Sequence, residues 1–265
     1  MYDRYNRRIT YLRISVTDRC NLRCAYCMPL QGVALLDHRD VLSFEEICEV
    51  ARTAVDMGMD KIRLTGGEPL VRRGVLDLVA MIGRIAGIKD YAMTTNGVLL
   101  AQYAAGLRAA GLHRLNIHLD TLDPDRFRRI TRGGDLNDVL AGIDAARAAG
   151  FARIKLNCVI DETPQEEDAQ AVLAFGRDRG MEVRFIRQMR LNEGRFWPVH
   201  GGAGGRCGAC NRLRLSSDGM IYPCLFSDDS YDVRDLGVEQ AFRMAVEGKP
   251  LRGRQSSHPL YGIGG

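Results

Sequence analysis

Between residues 9 and 188, short runs that alternate apolar and polar side chains are followed by longer stretches with helical periodicity. This repeated order is typical of βα units built around parallel strands. The alternating runs predict strands at 10–16, 60–65, 90–95, 113–119, 152–160 and 182–188. The periodic runs predict helices at 43–58, 73–87, 98–110, 136–149 and 165–179. Because a complete barrel needs eight strands, this α/β pattern predicts either an incomplete βα barrel of the TIM type or an open doubly wound sheet.

Sequence signals at the helix ends support these boundaries. In SFEE, Ser43 and Glu46 have the spacing of a capping box, in which each side chain caps the backbone of the other residue. Glycines follow four of the helical runs, as expected where a helix ends in the left-handed conformation. They are Gly58, Gly87, Gly111 and Gly150.

Polar side chains occupy one face of most predicted strands, although parallel strands covered on both sides are usually almost continuously apolar. The polar faces carry Arg13, Ser15, Lys61, Arg63, Thr65, Arg114, Asn116, His118, Asp120, Lys155 and Asn157. This alternation predicts apolar faces beneath the helices and polar faces around a central cavity that contains water. Since unpaired buried cations are costly, the cavity would bind a polyanion or hold internal ion pairs with residues such as Glu68 and Asp120.

Composition narrows the classes of protein. The 265 residues are 46% hydrophobic, which is enough for one large domain or for a domain with an extension. The net charge of +4 gives no indication of nucleic-acid binding. No long apolar run and no N-terminal targeting pattern is found, so a cytoplasmic protein that does not bind a membrane is expected. The glycine-rich stretch 198–210 predicts a boundary between a domain at 1–189 and an extension at 190–265.

Six of the eight cysteines fall into two tight groups. The first group, in CNLRCAYC after the first predicted strand, is Cys20, Cys24 and Cys27. The second group, in CGACNRLRLSSDGMIYPC, is Cys207, Cys210 and Cys224. The remaining two, Cys48 and Cys158, fall on apolar faces and are expected to pack in the core.

Three cysteines in one loop, without a fourth nearby, predict a metal site with one open position. Iron–sulfur clusters are the usual occupants of sites made of cysteine alone, and an iron without a protein ligand can bind a small molecule. A zinc ion completed by a distant ligand is the alternative. The motif LTGGEPL at 64–70 ends the second predicted strand. Its glycines allow a ligand to approach closely, and Glu68 has the chemistry to accept a hydrogen bond from an amine.

CxxxCxxC after the first strand and GGEP after the second together resemble the radical S-adenosylmethionine (SAM) enzymes. The resemblance implies a [4Fe–4S] cluster held by Cys20, Cys24 and Cys27, whose fourth iron binds the amino and carboxylate groups of SAM. Reduction of the cluster would cleave SAM to a 5′-deoxyadenosyl radical that abstracts hydrogen from the substrate.

Further motifs are similar to the molybdenum cofactor biosynthesis protein A family, whose members are GTP 3′,8-cyclases. They are LRISVTDRCNLRCAYCMP, KIRLTGGEPLVR, TTNGVLL, RFI, CNRLRLSSDG, PCLF and the terminal GG. The resemblance implies that the second cysteine group holds a second [4Fe–4S] cluster whose open iron contacts guanine. Residues that match the GTP contacts of the family are Arg13, Lys61, Arg63, Lys155, Arg184, Arg212 and Arg214. Positions that correspond to its SAM surroundings are Tyr26, Gly66, Gly67, Thr94, Asn96 and His118. The resemblance assigns no catalytic acid or base.

The implied reaction is that of a lyase. It abstracts hydrogen from the ribose 3′ carbon of GTP and joins that carbon to guanine C8, giving 3′,8-cyclo-7,8-dihydro-GTP in the first step of molybdenum cofactor biosynthesis. The implied partners are a flavodoxin or ferredoxin as electron donor and cyclic pyranopterin monophosphate synthase as the next enzyme, and a homodimer is left open. Gly264 and Gly265 match a double-glycine tail that enters the active site, for which a disordered chain end is the alternative.

Two features depart from the family pattern. Only 17 residues, 190–206, separate Met189 from Cys207, where the family has a longer stretch that walls the substrate pocket. The lateral opening is therefore expected to be less covered. His118 stands where the family commonly has serine, and it would either donate a hydrogen bond to the cofactor or only fill space.

Two other functions are compatible with the sequence. One is a radical SAM enzyme with an auxiliary cluster that acts on another nucleotide or on a peptide. The other is a zinc-binding or scaffold protein without enzymatic activity, in which His200 completes a CCCH site with the second cysteine group.

Overall fold

A computed structural model of the chain describes residues 1–257 and residue 263, so the predicted role of Gly264 and Gly265 falls outside the described residues. Nine strands form one sheet in this part of the chain. They are β1 (Tyr11–Ser15), β2 (Lys61–Thr65), β3 (Asp90–Thr95), β4 (Arg114–His118), β5 (Ile154–Ile160), β6 (Glu182–Arg187), β7 (Arg212–Leu215), β8 (Met220–Tyr222) and β9 (Tyr231–Asp232). Their order across the sheet is β6-β5-β4-β3-β2-β1-β7-β8-β9. Strands β1 to β7 are parallel, and β8 and β9 extend one edge with antiparallel pairing.

The helices of the described residues connect these strands and complete the extension. They are α1 (Phe44–Asp56), α2 (Val75–Gly83), α3 (Leu100–Ala109), α4 (Pro124–Thr131), α5 (Leu136–Ala148), α6 (Glu167–Asp178), α7 (Val233–Leu236) and α8 (Val238–Glu247). None of them is long and apolar enough to cross a bilayer. The predicted capping box is confirmed, because Ser43 Oγ accepts from the amide of Glu46 and the Glu46 carboxylate accepts from the amide of Ser43. The four predicted terminal glycines all have positive φ.

The six predicted parallel strands and the five predicted helices are all present, with somewhat shorter ends. Helix α4 was not predicted from the sequence. Its sequence PDRFRRIT is strongly charged, and only Phe127 and Thr131 are buried, so it has too few apolar positions to show a helical stripe. The extension contributes β7 to β9, α7 and α8.

The sheet is open, and its two faces differ in the way that the alternation predicts. On one face, Leu12, Ile14, Ile62 and Leu64 are fully buried in the main apolar core. The opposite face carries the polar side chains and borders a cavity. Because only one face packs in the core, the structure is an incomplete barrel and not a doubly wound sheet, in which helices cover both faces. Cys48 and Cys158 are buried in the core, as predicted.

The extension continues the same sheet. Strand β7 pairs in parallel with β1, and Arg13 of β1 lies opposite Arg214 of β7. The connection from β6 to β7 comprises residues 188–211. Within it, the backbone of His200 pairs with that of Phe185 at 3.0 and 3.1 Å, which covers part of the β6 edge. The domain boundary near residue 190 remains a prediction.

Candidate active site

A cavity of about 520 Å³ lies against the polar faces of the strands and brings together the predicted groups. Both cysteine groups line it: Cys20, Cys24, Cys27, Cys207, Cys210 and Cys224. Six of the seven predicted GTP contacts line it: Arg13, Lys61, Arg63, Arg184, Arg212 and Arg214. All predicted SAM neighbours line it as well: Tyr26, Gly66, Gly67, Thr94, Asn96 and His118. One cavity therefore contains the groups that the sequence placed in separate motifs.

Lys155 is the predicted GTP contact that the structure places differently. Its Nζ lies 2.5 Å from Oε2 of Glu182, the residue opposite it on β6, and it is not part of the cavity wall. The same carboxylate binds Arg184 at 2.7 Å through its other oxygen. A glutamate on the neighbouring strand therefore holds Lys155 at the margin, and its contact with GTP remains a prediction.

The first cysteine group lies in a loop that follows β1 and is anchored by α4. The amide of Ala25 donates to the carbonyl of Ile130 at 2.9 Å, which ties the loop to the last turn of that helix. The loop then turns tightly, because the amide of Cys27 donates to the carbonyl of Cys24 at 3.0 Å. The helix that the sequence did not reveal thus positions the first cysteine group.

The thiols of the first group lie close enough to disfavour one another's thiolate form. Burial, together with the charges of Asp120, Cys20 and Cys27, raises the pKa of Cys24 to about 12. Burial and Cys20 raise the pKa of Cys27 to about 11. Three thiolates at one place require a nearby positive charge, which bound metal ions provide. An amide also points at sulfur here, since Leu22 donates to Cys20 Sγ at 3.4 Å.

The second cysteine group lies at the base of the β7–β8 hairpin. The amide of Phe226 donates to Cys224 Sγ at 3.4 Å, the same two-residue pattern as at Cys20. Burial alone would raise the pKa of Cys210, but the charges of Lys249 and Arg212 bring it below its ordinary value. Amide donors to sulfur and nearby cations both stabilise thiolate ligands, so this donor set also fits an iron–sulfur cluster.

The spacing of the potential ligands bears on the zinc hypothesis. Within residues 1–257 and 263, no three His, Cys, Asp or Glu side chains are gathered as a single metal ion requires. A lone zinc would bring its thiolates to about 2.3 Å from one centre. A four-iron cluster instead gives each cysteine its own iron. His200, proposed to complete a CCCH site, is not part of the cavity wall that Cys207, Cys210 and Cys224 line.

Three arginines form a row across the middle of the sheet. Arg13 lies opposite both Arg63 and Arg214, and none of the three is more than 8% exposed. Burial and the charges of neighbouring arginines lower the pKa of Arg13 to about 9, and those of Arg63 and Arg214 to about 10. Glu68 and Asp120 do not neutralise this row, because they accept hydrogen bonds elsewhere. The three positive charges would attract a polyanion that enters the cavity.

Comparison with known proteins identifies the family. Residues 14–176 match the Radical SAM superfamily. The GTP 3′,8-cyclase of Alkaliphilus oremlandii is 40% identical over 298 aligned residues, which cover 94% of this chain and 93% of that protein. The GTP 3′,8-cyclase of Geobacter sulfurreducens is 41% identical, with 95% and 93% covered. The chain belongs to the GTP 3′,8-cyclase family of radical SAM enzymes.

Solved structures with low sequence identity share the fold of this radical SAM enzyme. SuiB of Streptococcus suis bound to S-adenosylmethionine has a TM-score of 0.62 at 14% identity, covering 93% of this chain and 66% of that one. Native anSMEcpe with bound AdoMet has a TM-score of 0.63 at 13% identity, covering 88% and 80%. These likenesses concern the fold alone. Membership of the radical SAM superfamily additionally implies that the chain binds one [4Fe–4S] cluster and SAM.

Aligned lengths also bear on the short connection between β6 and the second cysteine group. The 298 positions aligned with the Alkaliphilus cyclase exceed the 265 residues of this chain, so at least 33 of them have no counterpart here. The position of the shortening at residues 190–206 remains a prediction. The short connection nevertheless contributes Phe196 and Trp197 to the cavity wall. The guanidinium of Arg187 lies 4.1 Å from the Trp197 ring centre and packs against it.

Gly66 and Gly67 allow the loop after β2 to pass close to the first cysteine loop. A Cβ atom at Gly67 would lie 2.3 Å from the carbonyl oxygen of Arg19, and one at Gly66 would lie 2.6 Å from that of Thr17. The sequence explained these glycines by the approach of a ligand. The structure gives them a second reason, which is the packing of two backbones.

Replacing Gly67 by alanine is expected to destabilise the metal-free protein by about 1–3 kcal/mol, because the new methyl group overlaps backbone atoms. Gly208→Ala is the matched control, since nothing lies within 4 Å of the Cβ position in the second cysteine loop. Thermal unfolding of both variants and the wild type measures the effect. Equal midpoints for all three would contradict the close approach of the loops.

His118 ends β4 and faces the cavity. Its Nδ1 is buried and has no hydrogen-bond partner among the described residues. Burial and the charges of Arg13 and Arg63 lower its pKa to about 4. The ring is therefore neutral at pH 7, and this nitrogen is available to hydrogen-bond a ligand.

Acidification is expected to destabilise the metal-free protein through His118. The pKa is about 4 in the folded chain and near 6.5 in an unfolded one, so the unfolded state binds the proton first as the pH falls. This contribution to stability is present above pH 6.5 and is lost as the pH falls towards 4. His118→Gln should flatten the pH dependence of the unfolding midpoint over this range. An unchanged slope would show that His118 does not titrate as described.

Some residues have roles in the structure that were not predicted from the sequence. The Glu68 carboxylate accepts from the Thr95 hydroxyl at 2.7 Å and from the Asn96 amide at 2.6 Å. It therefore ties the end of β2 to the end of β3, and internal donors occupy the oxygens that were expected to accept from a ligand amine. Met189 lines the cavity without a motif to mark it. Trp197 also lines the cavity and is the only tryptophan in the chain, a signal that could have drawn attention to this segment.

Proposed function

We propose that this enzyme converts GTP to 3′,8-cyclo-7,8-dihydro-GTP, the first step of molybdenum cofactor biosynthesis. The observation that carries the proposal is the row of Arg13, Arg63 and Arg214 in one cavity with both cysteine groups. A triphosphate has the charge to offset this row, and the arginine fork binds phosphate oxygens in pairs. Relatives with about 40% identity over almost the whole chain are GTP 3′,8-cyclases, which supports the same substrate.

The first cysteine group would hold a [4Fe–4S] cluster with SAM at the open iron. When bound, the cluster and SAM supply the radical that takes a hydrogen atom from the substrate. The protein contributes orientation. The Tyr26 hydroxyl donates to the Asp120 carboxylate at 2.8 Å, which fixes the ring beside the cysteines. Asn96 donates to the Asn21 side chain at 2.8 Å and holds the cysteine loop against β3.

The second cysteine group would hold a second [4Fe–4S] cluster, with its open iron directed to guanine. Strand β7 begins two residues after Cys210 and carries Arg212 and Arg214. The phosphate contacts and the base contact would therefore lie on one rigid element. Joining the ribose to the base within one molecule depends on such fixed geometry. The proposal includes a flavodoxin or ferredoxin as electron donor and cyclic pyranopterin monophosphate synthase as the enzyme that receives the product.

The short connection between β6 and β7 favours a second candidate, a family member that acts on another nucleotide. Substrate selection is tested by incubating reduced, reconstituted protein without oxygen with SAM and GTP, ATP or GDP. We expect 5′-deoxyadenosine to form with GTP and GTP to be consumed in equal amount. If as much 5′-deoxyadenosine forms with ATP as with GTP and no GTP is consumed, GTP is rejected as the substrate and the radical chemistry is retained.

Metal analysis tests the number of clusters. Protein purified without oxygen and reconstituted should contain about eight irons per chain if both cysteine groups hold four-iron clusters. About four irons would reject the second cluster. Zinc with little iron would reject both clusters.

A further inference from the structure

Lys249, just after α8, has its ammonium group inside the protein beside the second cysteine group. The residue is 1% exposed, and Nζ donates to the carbonyl of Arg212 at 2.6 Å and to that of Pro223 at 2.5 Å. Arg212 lies two residues after Cys210, and Pro223 directly precedes Cys224. One ammonium group thus connects the two chain segments that carry these cysteines.

Lys249 is also in electrostatic contact with the cysteines themselves. The charges of Cys210 and Cys224 act on its ammonium group, and its charge acts on both thiols. A buried ammonium is costly unless its donors are satisfied and negative charge lies nearby. Two carbonyl groups satisfy donors, and thiolates supply the negative charge.

The segment around Lys249 is held firmly against the same site. Arg7 is 7% exposed and pairs with Asp3 at 2.6 Å, and its guanidinium donates to the carbonyls of Cys207 and Pro250 at 2.7 Å each. Further along the segment, a Cβ atom at Gly253 would lie 3.2 Å from Cys224 Sγ. The chain that carries Lys249 therefore wraps closely around the second cysteine group, and Lys249 cannot move away from it without breaking these contacts.

We propose that Lys249 is a positioning residue of the second cysteine site, which ties the Cys210 and Cys224 segments together and places a fixed positive charge against the group they bind. This inference rests on the proposed second iron–sulfur cluster. A positive charge beside a cluster stabilises its reduced, more negative form and raises its reduction potential, because hydrogen bonds and net charge around the sulfur atoms set that potential.

Two substitutions separate the two roles of Lys249, which are the connection between the Cys210 and Cys224 segments and the fixed positive charge. Lys249→Gln removes the charge but keeps an amide donor near the two carbonyl groups, whereas Lys249→Met removes both. Lys89→Gln is the control, since the Lys89 side chain is 78% exposed and pairs with Asp60. Each variant is reconstituted as the full chain, and the potentials of its clusters are measured by redox titration followed by electron paramagnetic resonance. The first cluster is recognised by the change in its spectrum when SAM is added.

We expect Lys249→Gln to lower the potential of the second cluster by about 59 mV, which is a tenfold change in the ratio of reduced to oxidised cluster. The first cluster should be unchanged, and Lys89→Gln should match the wild type. In the metal-free protein, Lys249→Met should speed amide hydrogen exchange in residues 207–226 by on the order of tenfold, because buried hydrogen bonds are lost. Lys249→Gln should lie between the wild type and Lys249→Met.

The outcomes distinguish this inference from the proposed function. A wild type with about four irons would reject the second cluster and with it the effect of Lys249 on a potential. A wild type with about eight irons, whose second cluster keeps its potential in Lys249→Gln, would reject the fixed charge alone. Unchanged hydrogen exchange in Lys249→Met would show that Lys249 does not hold the Cys210 and Cys224 segments together.

Discussion

Replacing Cys24 by alanine is expected to abolish formation of 5′-deoxyadenosine. Cys24 is the middle cysteine of the first group, and the charges of Cys20 and Cys27 both act on it. In the proposed site, the cluster would lose one of its three protein ligands and would not assemble, so SAM would have no iron at which to be cleaved. Iron should fall from about eight to about four per chain, because the second group is unaffected. This is the largest effect that we predict for a single substitution.

Cys48→Ala provides the control for the loss of a thiol. Cys48 is a buried cysteine of α1 that does not line the cavity. This variant should keep its iron and form 5′-deoxyadenosine at the rate of the wild type, with only a small loss of stability. Full SAM cleavage by Cys24→Ala would show that the first group does not hold the cluster at which SAM is cleaved.

Replacing Arg63 by glutamine is expected to raise the KM for GTP by about 10–100-fold, because hydrogen bonds to charged groups contribute roughly 1.5–3 kcal/mol each. The same substitution should raise the unfolding midpoint of the ligand-free protein. Arg63 is buried opposite Arg13, and burial and this charge both disfavour its cationic form. A residue that served stability alone would show the reverse, with a lower midpoint and an unchanged KM.

Arg153→Gln is the matched control for this prediction, since Arg153 is exposed and lies outside the cavity wall. It should change neither the KM nor the unfolding midpoint by much. The KM for SAM should also be similar in Arg63→Gln and the wild type. A parallel loss for GTP and SAM would contradict the assignment of Arg63 to the phosphates.

The fold was largely predictable where local patterns coincide with tertiary packing. The alternation in KIRLT placed Lys61 and Arg63 on one face, and the structure has both in the cavity wall. Helix α4 escaped prediction because its burial rests on Phe127 and Thr131 alone. The pairing of β7 with β1 also could not be predicted, since it joins segments about 200 residues apart and leaves no local pattern.

In the candidate site, too, the residues marked by a local sequence pattern could be predicted, and those defined by distant contacts could not. The cysteines and six basic residues were found because motifs or strand faces mark them. Lys155 shares such a face, but its neighbour on β6 is Glu182, and cross-strand register cannot be read from either strand alone. Lys249 has no motif, and its role arises only from the carbonyl groups that surround it.

Transfer of deuterium from GTP tests the central claim most directly. Reduced protein is incubated without oxygen with SAM and with GTP that carries deuterium at the ribose 3′ carbon, and both products are analysed by mass spectrometry. The proposed reaction predicts deuterium in 5′-deoxyadenosine, together with an equal amount of 3′,8-cyclo-7,8-dihydro-GTP. Formation of 5′-deoxyadenosine without deuterium, while GTP is recovered unchanged, would contradict it.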